Sequence, residues 1–365
     1  MKKKKIGIVS LYGNNNYGNK LQAYALQEYC KKLGYEVGVI KNGTPRSANN
    51  KIMKVLKRIV QLIRILFPIK EYKNDNFKEF EKNLNTTRRC YYSYDKNIFL
   101  KKSYDYFIVG SDQVWNPYFG LKNNFTFLEF AKDKPNIAFS ASFGVDSIPD
   151  DMKERYVNGL KELDYISVRE DIGKKMVENF TNRNDVEVLV DPTMLLTQKE
   201  WCNVAKRPNN LKDDKYILSY FLGEQSIDRR NQIKEMASKN GWKVINILDK
   251  NDAFADCGPA EFVYLEQHAE LICTDSFHAC VFGILMNTPF IIFNREDKEE
   301  PMNSRIDTLL SKFKLEDRRC SGKVNERYLK CDYSNSYKIL ENERKKANLF
   351  LKRALEIEGK NENKK

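Results

Sequence analysis

The chain has 365 residues, 41% of them hydrophobic and 31% charged, with a formal net charge of +13. That length suits two domains, and that composition excludes wholesale disorder. No stretch reaches the roughly 20 apolar residues of a spanning helix, and the basic balance favours anionic partners: nucleic acid, acidic lipid, or phosphorylated and carboxylated small molecules.

The start reads as a strand, not a signal peptide, because Ile6 to Leu11 is a short apolar run with no cleavage site after it. The loop Gly13-Asn14-Asn15-Asn16-Tyr17-Gly18-Asn19 is rich in residues that tolerate positive φ. Leu21, Ala25, Leu26, Tyr29 and Leu33 then recur at helical spacing up to Gly34, and 35–40 reads as the next strand, completing a βαβ unit. Over 51–70, Ile52, Val55, Leu56, Ile59, Leu62, Ile63 and Leu66 form an apolar stripe beside Lys51, Lys54, Lys57, Arg58 and Arg64. This reads either as a packed helix with a cationic outer face or as one that docks on an anionic membrane.

Strands are predicted at 104–110, 136–140, 165–170 and 186–190, and polar residues follow their carboxyl ends, where open α/β sheets bind ligands. The polar stretch 208–215 reads as a linker. Strand 216–222, helix 229–240, strand 243–248, helix 259–269, strand 271–274, helix 279–287 and strand 290–293 make a second βαβ half. A charged helix over 336–358 closes the pattern. The expected class is α/β, two Rossmann-like doubly wound domains facing a cleft, GT-B-like by analogy. The expected division is 1–207 for the first domain, 208–335 for the second, and 336–365 for a C-terminal helix and charged tail.

His278, in Thr274-Asp275-Ser276-Phe277-His278, follows a strand and opens a helix. Free N–H groups there suit an anion, Ser276 adds a hydroxyl, and the imidazole can donate a hydrogen bond or shuttle a proton; the plainer reading is a capped turn with a structural histidine. Arg169 is placed to grip a carboxylate or phosphate, or to pair with Glu170. Asp112 can bind a sugar hydroxyl or act as a base, and Trp115 can stack on a sugar, or the two can form an Asx turn with a packed ring. Asp191, before Pro192, reads as a turn residue. Arg295, Lys298 and Arg305 are candidates for added positive charge in the same cleft. The eight cysteines lack a CxxC pair and read as reduced, mostly buried thiols, and no metal site is expected.

Taken in order, the loop 13–19, Gly110-Ser111-Asp112-Gln113-Val114-Trp115-Asn116, Ser142-Phe143-Gly144, Ser167-Val168-Arg169-Glu170, Asp191-Pro192-Thr193 and Thr274-Asp275-Ser276-Phe277-His278-Ala279 resemble the polysaccharide pyruvyl transferases. The resemblance runs from about residue 6 to about residue 320. It implies a GT-B-like transferase that moves a pyruvyl group from phosphoenolpyruvate to a sugar of a cell-surface glycan and releases phosphate. It implies a donor site of Arg169, Ser276, Phe277 and His278 completed by Arg295, Lys298 or Arg305. Asn15, Asn16, Tyr17, Asn19, Asp112 and Trp115 are expected on the acceptor side, and His278, Arg169 and Asp112 in catalysis. No cofactor beyond the co-substrate and no nucleic acid is expected. The acceptor is expected to be nucleotide- or lipid-linked, and the location cytoplasmic, with peripheral contact at the inner membrane face. The alternatives are a GT-B glycosyltransferase using a nucleotide-sugar and a non-enzymatic glycan- or nucleic-acid-binding module.

Overall fold

A computed structural model describes residues 3–11, 16–43, 72–92, 98–118, 124–295 and 304–356. The basic stripe over 51–70, Asn15 and Lys298 lie outside the described residues. In chain order the first half runs β1 (Lys5–Val9), α1 (Tyr17–Lys32), β2 (Glu36–Val39), β3 (Asn42–Gly43), α2 (Tyr72–Glu81), β4 (Tyr91–Tyr92), α3 (Ile98–Ser103) and β5 (Tyr106–Asp112). It continues with β6 (Asn136–Ala141), α4 (Asp150–Lys161), β7 (Tyr165–Val168), α5 (Asp171–Thr181), β8 (Glu187–Val188) and α6 (Gln198–Cys202). The second half runs β9 (Tyr216–Tyr220), α7 (Ile227–Lys239), β10 (Lys243–Asn246), α8 (Pro259–His268), β11 (Leu271–Thr274), α9 (Phe277–Met286), β12 (Phe290–Ile292), α10 (Ser304–Phe313) and α11 (Ser334–Leu355).

Two parallel sheets result, in the orders β2-β1-β5-β6-β7-β8 and β10-β9-β11-β12, with β3 and β4 as a separate pair. Residues of both parities are buried along the strands because helices and loops cover both faces. Alternation then sorts them between cores. Tyr106 and Ile108 join a core that also holds Leu218 and Ile272 of the second sheet, while Phe107 and Val109 face another with Trp115 and Phe127. Ile217 and Cys273 point away into a third. The two sheets therefore share one hydrophobic core.

In both sheets the chain reverses its direction of travel beside the first strand: β1 lies between β2 and β5, and β9 between β10 and β11. The carboxyl ends at these two switch points are where such sheets bind ligands. The halves are tied directly. Tyr17 Oη donates to Cys257 O at 2.8 Å, and Asn76 Nδ2 donates to Asp256 O at 2.8 Å. Helix α11 crosses back to the first sheet, where Arg344 donates to the carbonyls of Met194 and Leu196 at 2.7 Å each and Phe350 packs on Phe139. Among the described residues no helix is long and apolar enough to cross a membrane.

Candidate functional site

On the second sheet, the turn after β11 is built by its own polar side chains. Thr274 Oγ1 donates to Tyr220 O at 2.5 Å and accepts from Ser276 N at 3.0 Å. Asp275 accepts from Leu222 N and Gly223 N at 2.7 and 2.8 Å, which ties the loop after β9 to the same point. Helix α9 starts at Phe277, not at 279. It is buried along its whole length, so an apolar stripe does not mark its first residue. Ser276 stands at the N-cap in extended conformation, yet its side chain makes no capping hydrogen bond. The hydroxyl and the first-turn N–H groups are thus left for another partner.

His278 sits in that first turn, 7% exposed. Its Nε2 lies 3.7 Å from Asp191 Oδ2, beyond hydrogen-bond length, and has no hydrogen-bond partner among the described residues. Gly18 of α1 explains how the imidazole fits: a Cβ there would fall 2.1 Å from His278 Nδ1. The glycine of the first loop is needed for close approach by a histidine some 260 positions away in sequence.

The first sheet contributes a buried ion network. Asp112 ends β5 with φ +66°, a left-handed conformation that turns its carboxylate off the strand path. Arg169, just past β7, donates through Nη2 to Asp112 Oδ1 at 3.1 Å and through Nη1 to Asp191 Oδ2 at 2.9 Å. Ser111 Oγ donates to the same Asp191 oxygen at 2.6 Å, and Thr193 donates to the other oxygen through N and Oγ1 at 3.0 and 2.7 Å. The Arg169 guanidinium also lies 4.3 Å over the Phe277 ring, joining the network to α9.

Burial opposes the charge of each of these groups, and mutual pairing outweighs it. Asp112 is held below the usual carboxylate range because Arg169, His278 and Arg305 overcome its desolvation. Asp191 is held lower still, by His278 and Arg169 together with the Ser111 hydrogen bond. Arg169 rises above its ordinary value because Asp112 and Asp191 flank it. Arg305 differs: burial and the like charge of Arg169 push it down to about 10.

These two walls enclose a cavity of about 290 Å³. Leu11, Asn16, Gly18, Asn19, Asp112 and Gln113 line it from the first half, and Tyr220, Leu222, Ser276, Phe277, His278, Arg295 and Arg305 from the second. Arg305 is 6% exposed, its Nη1 stands 4.0 Å from Asp112 Oδ1, and its Nε has no partner among the described residues. Arg295 Nε lies 3.7 Å from Asp275 Oδ2.

The structure thus gathers Asn16, Asn19, Asp112, Ser276, Phe277, His278, Arg295 and Arg305 around one space. Three expectations need correction. Trp115 is fully buried, its Nε1 donating to Thr126 O at 2.9 Å and its ring packed on Phe127 and Phe143, so it has no face for a sugar. Tyr17 is 1% exposed, stacked on Phe262 between the two halves, and does not reach the cavity. Arg169 does not line the cavity: its two Nη groups donate to Asp112 and Asp191, and its Nε has no hydrogen-bond partner among the described residues. Nor does it pair with Glu170, which accepts from Ser142, Phe143 and Gly144. Asp191, expected only to shape a turn, is the centre of the network. The available signal is its place just past the predicted strand 186–190, as Asp112 stands just past the predicted strand 104–110. Among the described residues no group of three or more His, Cys, Asp or Glu is arranged to hold a metal ion.

A cavity between two doubly wound parallel sheets, at the switch point of each and with a cationic wall, defines an α/β protein of the two-Rossmann-domain class. The chain belongs to the polysaccharide pyruvyl transferase family, whose sequence model matches residues 16–297. No curated protein matches the chain. Among solved structures it is similar to the UDP-GlcNAc 2-epimerase of Methanocaldococcus jannaschii, at 16% identity over 93% of this chain and 99% of that one, TM-score 0.46. It is also similar to the UDP-N-acetylglucosamine 2-epimerase of Rickettsia bellii, at 11% identity over 97% and 95% of the two chains, TM-score 0.48. The fold class rests on the sheet order and register themselves.

Proposed function

We propose that this enzyme takes its pyruvyl group from phosphoenolpyruvate and closes it as a ketal on two hydroxyls of a sugar in a cell-surface polysaccharide precursor, with release of phosphate. One observation carries the reading: two buried nitrogens without a hydrogen-bond partner among the described residues, His278 Nε2 and Arg305 Nε, belong to residues on the wall of one cavity, beside the uncapped start of α9. Phosphoenolpyruvate brings a carboxylate and a phosphate. Arg305, Arg295, Ser276 and the helix end supply charge and donors for both.

The chemistry divides among these groups. Protonation of the methylene carbon makes that carbon a methyl group and leaves a cationic centre at the adjacent carbon. One sugar hydroxyl adds there, a second displaces phosphate, and the ketal closes. Of the two hydroxyl protons, one balances the methyl group formed and the other leaves with phosphate. Asp112 is held too low to keep a proton, so it orients the hydroxyl. His278 is the group left to carry the proton. The cationic wall offsets charge on the departing phosphate. Phosphoenolpyruvate is a co-substrate, and the acceptor is a nucleotide- or lipid-linked sugar.

The test is thermal unfolding with and without phosphoenolpyruvate, with nucleotide-sugars as controls. Ligand at about 100 times its dissociation constant adds about 2.7 kcal/mol, a rise of a few degrees. Wild type is expected to show the rise, and His278→Ala and Arg305→Leu to lack it. A rise with a nucleotide-sugar and none with phosphoenolpyruvate overturns the reading.

A further inference from the structure

Gln113 follows Asp112 on the cavity wall, and the transfer chemistry above gives it no task. Its amide orientation follows from a chain of donors. The Tyr118 backbone N–H, which can only donate, lies 3.0 Å from Asn116 Oδ1. That fixes the carbonyl end of Asn116, so its Nδ2 is the end that donates, 3.1 Å from Gln113 Oε1. Gln113 therefore accepts with Oε1 and is left with Nε2 as its free end, without an acceptor among the described residues. Two features hold this arrangement. Asn116 is 2% exposed, so the pin is shielded from water. Gly144, at φ +66°, lies against the amide so closely that a Cβ there would fall 2.0 Å from Oε1.

Asp112 presents the opposite polarity next door. Arg169 holds its Oδ1, and no hydrogen bond reaches its Oδ2 from the described residues. An acceptor-only oxygen beside a donor-only amide complements hydroxyl groups, each of which gives one hydrogen and takes another. We infer that Gln113 and Asp112 form a hydroxyl-recognition pair for the acceptor sugar, and that Gln113 distinguishes a sugar carrying the contacted hydroxyl from its deoxy analogue. A site built to hydrogen-bond a hydroxyl rejects the analogue lacking it, because its own polar groups are then left unpaired. The assignment of this sugar as the pyruvyl acceptor rests on the proposed function. The complementarity to hydroxyls rests on the geometry.

Saturation-transfer NMR on the full chain tests it, with methyl galactoside, methyl glucoside and methyl N-acetylmannosaminide, each against its monodeoxy analogues. The phosphoenolpyruvate thermal rise is read in parallel. At least one glycoside is expected to signal with wild type and to lose signal as a particular deoxy analogue. Gln113→Glu keeps the size and the Asn116 contact but is acceptor-only at the free end, and is expected to bind that glycoside about tenfold more weakly. Gln113→Met is expected to show the same loss, and serves if the glutamate variant does not fold. Undiminished binding by a folded variant, no glycoside signal from wild type, or loss of the phosphoenolpyruvate rise in place of the glycoside signal would each overturn the inference. If wild type shows no phosphoenolpyruvate rise while glycoside binding depends on Gln113, the donor reading falls and the hydroxyl pair stands.

Discussion

The two walls of the cavity use charge in opposite ways. On the first-sheet side, Arg169 gives both Nη groups to Asp112 and Asp191, with only its Nε unpartnered among the described residues, and Asp191 is further held by Ser111 and Thr193. On the second-sheet side, Arg305 stands 4.0 Å from Asp112 with its Nε unpartnered among the described residues, and the Ser276 side chain makes no capping hydrogen bond. The first wall is a scaffold whose charges answer one another. The second keeps donors in reserve for something that arrives. The lesson is that burial alone does not sort structural from functional charge; the count of satisfied partners does.

The sharpest way to break that contrast is to remove one arginine from each wall. Arg169→Leu leaves two buried carboxylates without their cation, and is expected to lower stability by about 3–5 kcal/mol in chemical unfolding at neutral pH. The sign with pH follows from the depressed carboxylates. Their contribution is present above the unfolded value near 3.8 and is lost as pH falls through the lower folded values. In the variant the carboxylates take up protons at higher pH, so its deficit against wild type should narrow as the medium is acidified. Arg305→Leu is expected to leave the ligand-free protein as stable as wild type or more so, because burial and Arg169 already work against that charge. It should still abolish the phosphoenolpyruvate rise. A reversal of these two results would dissolve the distinction between the walls.

Gly18→Ala probes how finely the second wall is set. A methyl group 2.1 Å from His278 Nδ1 must displace the imidazole. Misplacement by about 1 Å lowers turnover on the order of 100-fold, measured as phosphate release once an acceptor is in hand. Unchanged turnover would remove His278 from the chemistry.

A smaller effect is expected at Glu266 of α8, which is wholly buried away from the cavity with neither carboxylate oxygen hydrogen-bonded among the described residues. Burial pushes its carboxyl well above the usual range. A raised folded value gives stability that is full below the unfolded value and declines as pH rises towards the folded one. Glu266→Gln should therefore raise the melting temperature at pH 8 relative to wild type, with the gain shrinking towards pH 4.5. An equal effect at both pH values would count against a protonated acid there. The smallest change in ligand binding is expected from Trp115→Phe. It loses the hydrogen bond to Thr126 and leaves a cavity beside Phe127 and Phe143, lowering stability by about 1–3 kcal/mol, and leaves glycoside binding as it was.

Much of this organisation was legible along the chain, and the parts that were not share a cause. Strands, loops and the Thr-Asp-Ser-Phe-His turn are local patterns, and local patterns are legible in the sequence. Asp191 was taken for a turn residue because Asp-Pro is a turn signal, and it is one: Oδ1 accepts from Thr193. What the dipeptide cannot say is that Oδ2 serves Arg169 and Ser111, which come from elsewhere in the sheet. Trp115 is expected on the acceptor side because its ring can stack on a sugar, and Tyr17 because it lies in the loop 13–19. Phe127, Phe143 and Phe262 decided otherwise, and no spacing rule links them to their partners. The shared core was equally hidden, since alternation along a strand reads the same whichever neighbour covers each face.

Helix α11 has a consequence for how the protein is made. Met194 and Leu196 belong to the first half, yet the guanidinium that satisfies their carbonyls is on Arg344. Phe350 covers Phe139 from still further along the chain. On the ribosome, the earlier half therefore waits for some 150 further residues before its last face is closed. A nascent chain stalled before residue 334 should be cut by protease around α6 and β6, and one stalled after α11 has emerged should resist.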